Sequence, residues 1–335
     1  MGKIIQKIRL NKLPIILASL HWFFITIFQI DRNFFIYDHE NTTMLVSKVL
    51  AFFLLQFLWI TGFSLYQEYK DGYSKIHRFI HIFSVYIFFL AAMLLMVWPG
   101  TWSWDDFHIL AYAQYYQVMP WQHVLSSYEQ IILLQLIPSP GGYVLVKNIL
   151  IAMIVAYIVL KLEDTFDVNW APFHSYWLGI ILRLVPFMLP PVLMYQFSGY
   201  RIGLYIYLEL LMLVILVCSL KDNFNWSTMK VIFFSLLATV VICWRSESIF
   251  YLILVIAFYT FSQNHSFSKY LRIGGIISLL LFFGWVTIWQ SRSLGNSNYE
   301  IVATIRPCVE LIRHAGKGDE LSVKFYSVGE FFQKQ

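Results

Sequence analysis

Two carboxylates stand side by side, Asp105 and Asp106, in the stretch Trp104-Asp105-Asp106 that follows an apolar run. Adjacent carboxylates repel each other, and a phospholipid surface adds further negative charge, so the pair calls for a compensating cation or a role. Hard oxygen ligands suit a divalent metal such as Mg2+ or Mn2+. One of the two can instead act as general base toward a hydroxyl. The plain alternative is an acidic pair that is solvated in a loop and caps the next helix. His108 and His123 lie on the same stretch and can support either chemistry, although a surface histidine is more often incidental. Asp106 with His108 gives only a weak metal-ligand spacing.

A second group is built on arginine. Trp244-Arg245-Ser246-Glu247 separates two apolar runs so briefly that Arg245 and Glu247 must sit at the membrane face, where charges mark function or a buried pair. Arg201 and Arg292 follow other apolar runs and reach the same level. Three guanidinium groups at one face can clamp a phosphate through paired hydrogen bonds. The alternative for Arg245 is a snorkelling anchor paired with Glu247. Arg183 and Glu209 lie inside consecutive apolar runs and can pair within the membrane.

The elements that must position these groups are set by composition. The 335 residues are 59% hydrophobic and 13% charged, with mean hydropathy +0.64. That charged fraction is about half that of a soluble domain, so lipid is the expected solvent for most of the exterior. The net charge of +5 is dispersed among loops, which argues against a nucleic-acid surface. Cys218, Cys243 and Cys308 form no CxxC pair and indicate neither a disulfide framework nor a metal site.

Apolar runs near 13–30, 48–66, 79–97, 143–160, 175–196, 202–219, 230–244, 248–262 and 273–290 predict an all-α polytopic protein that threads the bilayer about nine times. Pro186, Pro190 and Pro191 are expected to kink the fifth run. The first run follows basic residues but carries no small-x-small cleavage site, so it reads as a retained helix. Lys3, Lys7, Arg9, Lys12, Lys70, Lys75, Arg78, Lys221, Lys230, Lys269 and Arg272 all fall on one side of this threading. The other side carries mainly Arg32, Arg201, Arg245 and Arg292. The basic side is cytoplasmic, which places the N-terminus inside the cell and the carboxylate pair outside it.

The chain then divides into N-terminal helices at 1–98, an external connection at 99–142, a transmembrane core at 143–290 and an external polar segment at 291–335. The connection is long for a loop. Its stretches 107–116 and 126–136 have helical apolar spacing but are too short to span, so they are expected to lie in the outer interface. The last segment ends without a closing span, as in a truncated chain.

The run VWPGTWSWDDFHIL at 97–110, the WQH step at 121–123 and the RSE at 245–247 together resemble bacterial members of the GT-C glycosyltransferase superfamily. More narrowly, they resemble multi-pass bacterial proteins with a PG…WD segment in the large first external loop. The resemblance covers roughly 95–250. It implies transfer of a sugar from a polyprenyl-phosphate-linked donor to a cell-envelope glycan, lipid or protein on the extracytoplasmic face. It also implies that Asp105 or Asp106 is base or metal ligand, and that Arg245 holds the lipid phosphate. This chain departs from the family in its doubled aspartate and in lacking an evident second acidic motif.

Two other functions fit a polytopic membrane chain: a transporter or flippase of an envelope glycolipid, and a polysaccharide polymerase. Inverted repeats, common in transporters, are absent from the sequence. The charge asymmetry generates a direct expectation for topology. Single cysteines at Ser103 and Ser74 should react with an impermeant thiol reagent from outside the cell only at Ser103; the reverse pattern would invert the threading.

Overall fold

The computed structural model describes residues 12–26, 34–36, 42–120, 122–167, 175–221, 226–261 and 268–294. The chain divides into two units, Met1–Ser293 and Leu294–Gln335. Arg32, Cys308 and nearly all of the expected external segment 291–335 lie outside the described residues.

Within the first unit the regular structure is helical: α1 Leu13–Thr26, α2 Thr42–Lys70, α3 Ser74–Met96, α4 Trp104–Gln114, α5 Val124–Leu136, α6 Pro140–Phe166, α7 Tyr176–Leu184, α8 Pro190–Gln196, α9 Ile202–Lys221, α10 Thr228–Trp244, α11 Phe250–Phe261 and α12 Lys269–Leu294. Short 3-10 turns occupy Val185–Phe187 and Ser246–Ile249. Five helices, α2, α3, α6, α9 and α12, are long and apolar enough to cross a membrane. The bent pair α7–α8 makes a sixth if it is one span. The helices α1, α10 and α11, expected as spans, are apolar but shorter.

The fifth apolar run breaks where its prolines require. Pro190 and Pro191 open α8, and the axis turns by 74° at the preceding break. Polar groups gather beside that break. Tyr86 donates to the carbonyl of Phe187 at 3.0 Å, and the Gln196 amide donates to the hydroxyls of Tyr86 (2.7 Å) and Tyr207. A backbone carbonyl freed by a proline break thereby finds a donor within the protein.

Helix α6 is the hub, packing against α3, α5, α8 and α9, and most of its surface is covered. The outer helices instead display large apolar side chains: Phe53 is 62% exposed, Phe88 78%, Ile253 74% and Leu281 66%. Water is a poor solvent for such a surface, and lipid tails are a good one.

The two expected interfacial helices are α4 and α5. They pack on each other, and α5 lies against α2, α6 and α10. A Ser103–Asp106 capping box starts α4, and the His123 ring starts α5 by accepting from the Leu125 N–H at 3.2 Å.

At the other ends of α3 and α6, the expected Arg183–Glu209 pair is replaced by a different one. Arg183 pairs with Glu163 of α6, which also takes a two-point contact from Arg78 of α3 at 2.9 and 3.2 Å. Helix α7 packs on α3 rather than on α9, which puts Glu209 out of partnership; Glu209 accepts from Tyr251 instead. Glu163 is only 17% exposed, whereas the neighbouring Lys75–Asp164 pair is 69% and 40% exposed. Glu163→Gln should therefore lower unfolding free energy by about 1–3 kcal/mol, because two half-buried guanidinium groups lose their counter-charge. Asp164→Asn should cost less than about 0.5 kcal/mol. Equal shifts of the two variants in thermal denaturation would contradict this ranking.

Candidate functional site

The site grows from the way 99–142 is tied down. Gly100 sits at φ +116°, in the region closed to other residues, and a Cβ there would lie 2.6 Å from the carbonyl oxygen of Phe197. That closeness lets the Thr101 N–H donate to Phe197 O at 2.8 Å, and Thr101 forms an isolated parallel bridge with Ser198. Trp102 then packs on Gly199, where a Cβ would meet its indole ring at 2.4 Å and Asp106 Cβ at 3.1 Å. The PG…W…D run is thus a clasp between the start of the connection and the turn before α9.

Inside the clasp is Lys147, on the second turn of α6 and completely buried. Its ammonium donates to the Ser198 carbonyl oxygen and lies 5.0 Å from the centre of the Tyr143 ring. Asp106 and Glu129 supply the opposing charge. A buried ammonium without such partners would be strongly disfavoured.

Asp106 is 1% exposed. Its Oδ2 accepts from the Ser103 N–H at 2.8 Å, and its Oδ1 is buried without a hydrogen-bond partner among the described residues. Burial pushes this carboxyl above the usual range, while the bonds to Ser103 and the Lys147 charge pull it back. Asp105, one position earlier, is exposed. The two side chains therefore differ in surroundings, one open and one buried, as successive helical residues that point in different directions do. Among the described residues no three His, Cys, Asp or Glu side chains gather to hold a metal.

Glu129, from α5, reaches the same cluster. The Tyr143 hydroxyl lies 3.3 Å from both of its carboxylate oxygens. Burial raises this carboxyl to about 7, with the Lys147 charge and the Tyr143 bond acting in the opposite direction. Unlike Lys147 and Tyr143, Glu129 keeps part of its surface open.

The remaining expected residues are placed in smaller groups. Burial, and then the Arg201 charge, push His123 down to about 4, which keeps the capping ring neutral at neutral pH. Arg201 is half-buried, and its Nε has no hydrogen-bond partner among the described residues. Arg245 makes a two-point contact with Glu247 at 3.1 and 3.3 Å and lies over the Tyr205 ring. His108 packs edge-on against Trp104 with ring centres 4.9 Å apart. Arg292 is exposed near the end of α12.

The structure therefore pairs Arg245 with Glu247, sets the Asp106 charge against that of Lys147, and puts His123 within reach of the Arg201 charge. Asp105, His108 and Arg292 are not drawn into these groups. Sequence reasoning passes over Lys147 and Glu129. Their signal was available: each is an ionisable residue inside an apolar run, the same pattern that singles out Arg183 and Glu209.

Compared with protein-family models, curated proteins and solved structures, the chain matches none of them. Its site stands on its own geometry, and the clasp is its first test. Gly199→Ala should destabilise the protein by about 1–3 kcal/mol by pushing Trp102 and Asp106 off the turn. A variant with unchanged melting temperature and unchanged Trp102 fluorescence would show that the contact is not tight.

Proposed function

We propose that this chain is a membrane-embedded glycosyltransferase of the GT-C type, moving a sugar from a polyprenyl-phosphate-linked donor to a cell-envelope acceptor on the extracytoplasmic face. In this reading α1, α10, α11 and the α7–α8 pair also cross the bilayer, giving nine spans, and α4 and α5 lie in the outer interface. The observation that carries it is the assembly of carboxylates and cations where 99–142 closes over α6 and the start of α9. Glycosyl transfer from a lipid phosphate needs an acid–base group beside a cationic surface, at the depth where the donor's phosphate rests.

The residues divide the work by accessibility. Asp105 is open to a substrate, whereas Asp106 is turned inward, where its charge opposes that of Lys147. Because the two side chains differ in surroundings, no step is assigned to a metal. Arg201 retains donor capacity, while the Arg245 fork is already filled by Glu247. The leaving phosphate is therefore assigned first to Arg201, with Arg245 and Arg292 as outer contacts.

One observation favours a flippase as the second reading. The 74° break between α7 and α8, lined by Tyr86, Gln196 and Tyr207, is the kind of interruption that transporters place at a substrate path. A polymerase would share the donor chemistry and differ in the acceptor.

The test uses purified protein in lipid nanodiscs with a radiolabelled polyprenyl-phosphate sugar and an envelope extract as acceptor. Wild-type protein should release polyprenyl phosphate. Asp105→Asn should cut that release by about 10²-fold. Arg201→Gln should weaken donor use by about 10-fold, and more than Arg245→Gln does. Label crossing a liposome membrane without sugar transfer would support the flippase instead. A double Asp105→Asn, Asp106→Asn variant with full transfer would remove the pair from the mechanism.

A further inference from the structure

We infer that Glu129, a partly exposed residue whose carboxylate meets the Tyr143 hydroxyl near the buried Lys147, is the group that takes the proton from the acceptor hydroxyl. The assignment rests on the transferase reading and adds a residue to it. Asp105 is then left to contact the donor, and Asp106 to balance the Lys147 charge.

The geometry separates the three carboxylates. Asp106 is fully buried and spends one oxygen on the cap of α4. Asp105 is exposed at the start of α4. Glu129 combines partial access with a fixed orientation, because Tyr143 approaches both of its oxygens at 3.3 Å. A general base needs access to its substrate and a defined position, and Glu129 pairs partial exposure of the residue with a side-chain hydrogen bond to its carboxylate.

Charge balance points the same way. Glu129 and Asp106 both set a negative charge against Lys147, and burial raises the Glu129 carboxyl while the Lys147 charge and the Tyr143 bond lower it. The groups facing it are Tyr143 and Lys147 from α6, with Asp106 of α4 acting on the same lysine. Of the other neighbours of α5, α1 brings His21 to the Leu136 end, α2 places Lys48 over the Tyr116 ring, and α10 carries Lys230 in its first turn and Cys243 in its last. Burial holds the Glu129 carboxyl at about 7, matched to work near neutral pH.

The step balances. Ionised Glu129 removes the proton from the acceptor O–H as the acceptor oxygen bonds to the sugar's anomeric carbon. The bond from that carbon to the lipid phosphate oxygen breaks, and its electron pair leaves on the phosphate. Glu129 then returns the proton to solvent.

The experiment pairs two measurements on the same nanodisc samples. Infrared difference spectroscopy without substrate follows the protonated carboxyl band as pH is raised, and polyprenyl phosphate release follows turnover. In wild type, a carboxyl band should disappear around pH 7, and turnover should rise over the same interval. Glu129→Gln should abolish that band and reduce turnover by about 10²-fold or more. Glu129→Asp should keep a titrating band and recover part of the turnover, which guards against a folding defect. Thermal stability gives a third readout. A carboxyl raised from 4.5 to about 7 makes the fold less stable as pH rises through that window, and Glu129→Gln should flatten the slope. A neutral-range carboxyl band that survives in Glu129→Gln, or full turnover in that variant, overturns the inference. A wild-type protein that titrates the band but transfers no sugar overturns the transferase reading and leaves the titrating role of Glu129 standing.

Discussion

A lysine buried inside a bundle of apolar helices constrains everything around it. Lys147 has no exposed surface, and an ammonium in such surroundings either finds opposing charge and acceptors or gives up its proton. Here four features converge on it: the Ser198 carbonyl, the Asp106 and Glu129 carboxylates, and the face of the Tyr143 ring. They come from the turn before α9, from α4, from α5 and from α6 itself. One charge therefore obliges the 99–142 connection to fold back onto the bundle. The glycines at 100 and 199 permit the close approach this requires.

The same constraint gives the site its chemistry. A stretch that only covered the helix ends would need no carboxylate turned inward. Asp106 is turned inward, and its capping bond to Ser103 fixes the start of α4 at the same time. Burial raises the nearby Glu129 carboxyl, against the pull of the Lys147 charge and the Tyr143 bond. Arg201 and Arg245 stand at the adjoining turn and at the end of α10, the first with unused donor capacity and the second already paired. In the transferase we propose, the Glu129 carboxyl takes the acceptor proton and the guanidinium groups receive the leaving phosphate.

Much of the fold was legible in the sequence, because apolar run length and proline position act locally. Pro190 and Pro191 specify the break that opens α8, and Ser103 with Asp106 specifies the start of α4. The short apolar stretches of 99–142 are helices, as their spacing predicts. What spacing does not carry is which helix neighbours which. Arg183 was expected to meet Glu209 because their runs are consecutive, yet the break after α7 turns it toward α3 and Glu163. The site was legible in part. The doubled aspartate is visible in the sequence, but the division between an exposed Asp105 and a buried Asp106 depends on where α4 docks. Lys147 and Glu129 gain meaning only when α5 and α6 are side by side.

The central claim is that the Asp106 and Lys147 charges stabilise each other, and a double-mutant cycle measures this directly. Unfolding free energies of wild type, Asp106→Asn, Lys147→Met and the double variant, taken in one detergent at one pH, isolate the pairwise energy. Each single variant strands a buried charge, whereas the double variant strands none, so the double variant should be more stable than the sum of the single losses predicts. A coupling of about 1.5 kcal/mol or more is the expected result. Strictly additive losses, within about 0.5 kcal/mol, would show that the two residues do not sense each other and would contradict the account.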